Sequence, residues 1–263
     1  MQEIDFYLVD AFSDRAFGGN AAAVCPLEEW LSDETLLKMA QQHNQSETAF
    51  FVRTDTGFEL RWFTTLHEIN LCGHATLAAS HVIFEYLDYP HTEITFTTRF
   101  VGELTVKRSG DWLTLNFPAW STEVVGNPPP GLFSALGIAQ AKEVRVGRDY
   151  MVVLESQQQV EALTPDIAAM APLGKMVCVT APGEEYDFVS RFFCPGEGVP
   201  EDPVTGSTHS MLIPYWSEKL GKTSMNARQV SYRGGDLRCE LKGDRVLIGG
   251  QATLYLKGRI FLR

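Results

Sequence analysis

Residues His74–Leu87 form a run in which Ala75, Leu77, Ala78, Ala79, Val82, Ile83 and Phe84 leave almost no polar face. A helix with one apolar stripe lies on a surface, whereas a helix apolar all round has to be enclosed. The rest of the chain must therefore wall it in, and its neighbours read as short β-strands. Ile4–Phe12, Thr48–Val52, Phe58–Thr64, Ile94–Phe100, Glu103–Arg108 and Trp112–Phe117 have strand composition or alternation. One more helix, Ser32–Asn44, opens on Ser-Asp-Glu, a cap residue followed by first-turn acids. An α+β architecture follows, with a curved antiparallel sheet wrapped around a central helix.

The second half repeats this outline. Strands are expected at Val144–Val146, Tyr150–Leu154, Met176–Thr180 and Asp187–Cys194, then a mostly apolar helix at Ser207–Leu220, then strands to the end. In one half Leu60-Arg61-Trp62-Phe63 leads through a loop to Gly73-His74-Ala75-Thr76. In the other, Ser190-Arg191-Phe192-Phe193 leads to Gly206-Ser207-Thr208-His209. Arginine to glycine is 12 positions in one and 15 in the other, a correspondence better explained by duplication than by coincidence. The proline-dense Gly126–Gly131 stretch lies near the midpoint and reads as the connection. Two pseudo-symmetric domains are expected, 1–125 and 126–263, with the last strand able to cross back to the first.

Charge and cysteine content narrow the functional classes. Lys plus Arg total 22 against 33 Asp plus Glu, a net charge of −11. Binding to nucleic acid or an anionic membrane draws on clustered cations, and here the longest basic cluster is Lys107-Arg108. Neither is expected as a partner. No apolar run approaches the roughly 20 residues of a transmembrane helix. The N-terminus, MQEIDFYLVD, carries acids where a signal peptide has basic residues, and reads as a first strand. The five cysteines are odd in number and widely spaced, which argues against a disulfide framework and a zinc site and for a soluble protein of a reducing, cytoplasmic compartment.

Chemistry is expected where the two buried helices begin. A glycine ahead of a helix leaves backbone N–H groups open, and the helix dipole adds to their attraction for an anion. Two such starts facing each other across a cleft would suit a small carboxylated molecule, with His74, Ser207, Thr208 and Asp202 within reach. Between the first helix and a strand lies Asn44-Gln45-Ser46-Glu47-Thr48. A glutamate held there beside an apolar wall would be a desolvated carboxyl, suited to general acid/base work. No set of His, Cys and acids has metal-ligand spacing along the sequence, so no metal is expected.

Several motifs occur together and in order: Gly18-Gly19-Asn20-Ala21-Ala22-Ala23-Val24-Cys25, Asn44-x-Ser46-Glu47-Thr48, Arg61-x-Phe63-Thr64, Glu68–Thr76, Glu201-Asp202-Pro203-Val204-Thr205-Gly206-Ser207 and Gly249-Gly250-x-Ala252. In this combination the chain closely resembles the PhzF-like family of phenazine-biosynthesis isomerases, over essentially its whole length. The resemblance implies the diaminopimelate-epimerase-like fold, two similar domains each built as a β-barrel around a helix with the site between them. It also implies isomerisation by acid/base proton transfer without metal or cofactor, on a dihydro-hydroxyanthranilate in the characterised member. Carried over by motif, Glu47 matches the proton-shuttling glutamate, and His74 and Asp202 match its polar partners. Gly73 and Ser207 match substrate-binding loop positions, and Asn20, Ser46 and Gly206 stand in the same motifs as candidate substrate contacts. A homodimer is the expected assembly, from the family and from the commonness of twofold oligomers.

The chain departs from the family pattern at Ala21 and Thr65, where proline is usual. Both changes alter loop stiffness, since proline mainly pre-sets φ. Racemases of the same fold need a thiol on each side of the substrate carbon. Cys72 could be the first, but the residue before Gly206 is Thr205, whose hydroxyl is far too weak an acid to serve as the second. The leading expectation is an isomerase in which Cys72 only packs. A racemase or epimerase of an unusual acid, and a non-catalytic small-molecule binder, are the alternatives.

Overall fold

A computed structural model describes residues 1–263, the Glu197 side chain excepted. The chain divides into two compact units, Met1–Asn116 with Gly249–Arg263, and Phe117–Ile248.

The first unit starts with β1 (Gln2–Ala11), β2 (Asn20–Leu27), α1 (Asp33–His43), β3 (Thr48–Arg53) and β4 (Phe58–Phe63). It continues with β5 (Glu68–Ile69), α2 (Gly73–Tyr86), β6 (Glu93–Thr98), β7 (Gly102–Ser109) and β8 (Trp112–Pro118). β1 and β2 pair antiparallel, β2 and β3 parallel, and β3 and β4 antiparallel. β4 carries β5 antiparallel and β6 parallel, and β6–β7–β8 run antiparallel. Parallel neighbours need a crossover of a dozen or more residues. Here α1 supplies the first and α2 the second, so the sheet is mixed and not antiparallel as expected.

The second unit has β9 (Glu123–Val124), α3 (Leu132–Leu136), β10 (Glu143–Val146), β11 (Tyr150–Val153), α4 (Gln157–Glu161) and α5 (Ile167–Met170). Then come β12 (Val177–Pro182), β13 (Phe188–Cys194), β14 (Val199–Asp202), α6 (His209–Leu220), β15 (Ser224–Gln229), β16 (Gly235–Lys242) and β17 (Arg245–Gly250). From β10 the same succession of pairings returns: antiparallel to β11, parallel to β12, antiparallel to β13, which carries β14 antiparallel and β15 parallel. β15 and β16 then pair antiparallel. The last strand, β18 (Ala252–Leu262), belongs to the first unit and runs antiparallel along β1 from Gln2 to Ala11.

The duplication extends to single side chains. The Arg61 guanidinium grips Glu68 of β5 with two bonds of 2.7 Å, and Arg191 grips Glu201 of β14 with bonds of 2.7 and 2.9 Å. Each arginine lies over the phenylalanine two residues on, 5.1 Å from the ring centre of Phe63 or Phe193. In both units the gripped glutamate precedes the helix-opening glycine by five residues. This spacing aligns the two loops better than the arginine-to-glycine distance does.

Both helices are enclosed as expected. In α2 every residue from Gly73 to Ser80 is buried, as are Val82, Ile83 and Phe84; in α6 burial runs from His209 to Ile213 and through Tyr215, Trp216 and Ser217. Around α2 lie β1, β2, β3 and β18. A second apolar cluster lies under α1, where Leu36, Met39 and Ala40 meet Ile4, Cys25, Phe50 and Phe63. In the second unit Leu132, Leu136, Val152, Val179, Val189 and Phe193 form the corresponding mass.

Three further features differ from expectation. The compact units separate within β8 and again within β17, whereas the sequence suggested a limit at 125/126. The proline-dense stretch lies inside the second unit, because β9 ahead of it pairs with β10 behind it. β2, absent from the strands expected, is buried at almost every residue, so its Asn-Ala-Ala-Ala start shows no alternation to read. No helix among the described residues is long and apolar enough to cross a membrane.

Candidate active site

The first unit gathers its polar residues at one end of the sheet, and strand direction is the cause. Because β2 and β3 run parallel, the residues before β3 lie beside the start of β2. Ala23 N–H donates to the Glu47 carbonyl, and the Ser46 hydroxyl lies 3.4 Å from the Asn20 side-chain oxygen. Because β4 runs antiparallel to β3, Phe63 at its end sits opposite Thr48. The chain leaves there through β5 and enters α2 at Gly73. Asn44 has a structural part in this: as the α1 C-cap it adopts a left-handed φ of 53° and returns its N–H to Ala40. That turn delivers Ser46 and Glu47 to the mouth of β3.

At this mouth three reactive side chains meet. Glu47 Oε2 lies 3.3 Å from His74 Nε2, and Cys72 Sγ lies 3.4 Å from His74 Nδ1. The His74 side chain is 3% exposed and that of Glu47 17%, so the carboxyl is the member of the set that a solute can reach. Burial pushes the imidazole down to about 3, which makes it neutral at ordinary pH. A neutral imidazole carries one proton on one of two nitrogens. At 3.3 Å the two atoms are close without a formed hydrogen bond, and a small turn of either side chain would let Nε2–H donate to an ionised Glu47 or Nε2 accept from a protonated one.

The fold thus assembles what sequence spacing concealed. The ligand-type atoms of Glu47, Cys72 and His74 all lie within 4.8 Å of one another, which corrects the expectation that no such cluster exists. A metal requires its donors to converge on one point at about 2.0–2.3 Å. Here Glu47 and Cys72 address opposite nitrogens of one ring.

The second unit places Asp202 at the end of β14, opposite Phe192. Its Oδ2 accepts from the Thr205 hydroxyl at 2.5 Å. The Gln229 side chain, wholly buried on β15, bonds to Thr205 N–H at 2.9 Å, to the Asp202 carbonyl at 2.7 Å and to the Thr205 hydroxyl at 3.2 Å. Sequence reading missed Gln229, and treated Thr205 only as a missing thiol. Gly206 and Ser207 lie in the turn before α6, which begins at His209 and not at Ser207 as expected. The early bonds there run from His209 to Gly206 and from Ser210 to Ser207, one residue tighter than an α-turn.

The two helix starts match in detail. Thr76 donates its hydroxyl to the Cys72 carbonyl at 2.5 Å, and His209 donates Nδ1–H to the Thr205 carbonyl at 2.9 Å, each reaching back four residues. Cys72 and Thr205 therefore occupy equivalent positions. Neither α2 nor α6 has a side-chain cap, whereas Ser32, Ser156 and Asp166 cap α1, α4 and α5. Open first-turn N–H groups are favourable for an anion.

Comparison with known proteins places the chain in a family. The profile of a family described as "Phenazine biosynthesis-like protein" matches residues 9–258. A Pseudomonas aeruginosa protein named an uncharacterized isomerase is 48% identical, over 99% of this chain and all of its own. A crystal structure of a PhzF-family phenazine biosynthesis protein from Enterococcus faecalis superimposes with a TM-score of 0.95 at 43% identity, covering 99% of this chain and 100% of that one. The fold alone is shared with a probable proline racemase from Agrobacterium radiobacter, at a TM-score of 0.64 and 10% identity over 99% of this chain and 93% of that one. Matched along nearly its whole length and already marked by the Glu47 and Asp202 motifs, this chain belongs to the phenazine biosynthesis-like PhzF family.

Proposed function

We propose that this protein is a cofactor-independent isomerase that shifts a proton within a small carboxylated substrate. Glu47 carries the proton and His74 and Asp202 are its polar partners. Asn20, Ser46, Gly73, Gly206 and Ser207 contact the substrate. One observation carries the reading: the Glu47 carboxyl lies against a buried, neutral imidazole that can donate to its ionised form and accept from its protonated form. In the forward step the carboxylate takes a proton from a substrate carbon, and the electron pair left behind moves into the adjoining unsaturation. The carboxylic acid then returns the proton to a different carbon, which restores the carboxylate and leaves an isomer. One carboxyl serving one face needs no base opposite. The two-thiol racemase reading is disfavoured because the position equivalent to Cys72 holds Thr205.

The test is deuterium uptake from heavy water, followed by NMR, into dihydro-hydroxyanthranilate and a panel of other unsaturated small acids, with and without a chelator. Exchange at a carbon and an unchanged rate with chelator are expected. Glu47→Gln should lower exchange by about 100-fold or more, since a general acid/base contributes on that order, while its melting temperature stays put. A folded Gln variant exchanging at the normal rate would remove Glu47 from the mechanism.

A further inference from the structure

We infer that Gln229 is a positioning residue which, through Thr205, fixes Asp202 as a one-way hydrogen-bond acceptor. The inference rests on the reading of Asp202 as a partner in proton transfer.

The direction of each bond follows from chemistry. A backbone N–H only donates and a backbone carbonyl only accepts. The Gln229 oxygen must therefore face Thr205 N–H and its nitrogen the Asp202 carbonyl, at 2.9 and 2.7 Å. That nitrogen also reaches the Thr205 hydroxyl at 3.2 Å and can only donate to it. With its oxygen already accepting, the hydroxyl directs its single proton to Asp202 Oδ2 at 2.5 Å. Amide, hydroxyl and carboxylate form a chain of donors pointing one way. Donation to the charged form favours that form, so the clamp presents Asp202 as an acceptor.

The duplication supplies an internal control. Ser190 pairs with Gln229 as Leu60 pairs with Thr98, so Thr98 stands where the first unit would carry the same clamp. The Thr98 hydroxyl bonds within its own turn, donating to the Gly102 carbonyl and accepting from Val101 N–H. The counterpart of Asp202, reckoned from the paired glutamates Glu68 and Glu201, is Ile69. The clamp is present where there is a carboxylate to hold and absent where there is none. On β15 the other inward residues are Met225 and Ala227, and a core with no further purpose would have continued with an apolar third.

The test compares Gln229→Met, Thr205→Val and Thr205→Ser in the full chain. With dihydro-hydroxyanthranilate as probe, Gln229→Met and Thr205→Val should each lower kcat by about tenfold or more with KM little changed. Thr205→Ser, which keeps the hydroxyl, should restore it. The double variant should be no slower than the worse single one, as for groups acting as a unit. Multiplying losses, or normal kcat in folded Gln229→Met, overturn the inference. A second readout needs no substrate: the Asp202 carboxyl carbon resonance should move in Gln229→Met and Thr205→Val and stay in Thr205→Ser. An unmoved resonance in the first two overturns the inference whatever the turnover. Asp202→Asn is measured alongside. Normal exchange by that variant, with the resonance shifts as expected, leaves the clamp standing and removes only Asp202 from the reaction.

Discussion

At the scale of single residues, the candidate site depends on burial neutralising one group and leaving its neighbour accessible. His74 is held neutral and touches Glu47 through one nitrogen and Cys72 through the other. The thiol therefore steadies the ring and is not a proton carrier in the proposed reaction. Cys72→Ala should reduce deuterium exchange by less than about tenfold, well short of the Glu47→Gln loss. A loss as deep as that of Glu47→Gln would make Cys72 a proton carrier. Glu47, His74 and Asp202 stand out as candidates in the sequence because each lies in a short local motif. Gln229 was not, since its bonds span 24 and 27 residues, and one glutamine in a strand has no distinguishing local pattern. The Glu47–Cys72–His74 cluster was hidden for the same reason, with 24 residues of intervening strand and loop between Glu47 and Cys72.

At the scale of elements, the apolar helices were readable because their pattern departs from amphipathic, and the strands around them because they alternate. β2 escaped because buried alanines on both faces resemble neither strand nor helix by periodicity. The Gly249-Gly250 pair now has a physical account. A side chain at Gly250 would begin 2.3 Å from the Phe12 ring and 3.0 Å from Leu77 of α2, so glycine is what lets the β17 end pass this close. Phe12, at φ 63° and fully buried, has little room to yield. Gly250→Ala should cost about 1–3 kcal/mol by overpacking, read from urea unfolding. Wild-type stability would show that Phe12 moves aside.

At the scale of the whole molecule, buried histidines link stability to acidity. Burial holds His74 neutral down to about 3 and His209 down to about 4, whereas in the unfolded chain each titrates near 6.5. Between those values the unfolded chain binds the extra protons, so stability is complete above about pH 6.5 and is lost as pH falls, by about 1.4 kcal/mol per unit for each histidine well below that point. Urea midpoints at pH 7, 6 and 5 should decline, and His209→Gln should decline less steeply; identical slopes would show that His209 does not take part. The return of β18 to β1 has a consequence of another kind. A ribosome releases the chain from its N-terminus, yet the first strand, which can pair with β2 early, gains its second partner only when residues 252–262 emerge. Phe117–Ile248 is contiguous and can complete itself as it emerges, while residues 1–116 wait for residues 249–263 to close their sheet. The half of the molecule made first is the half finished last.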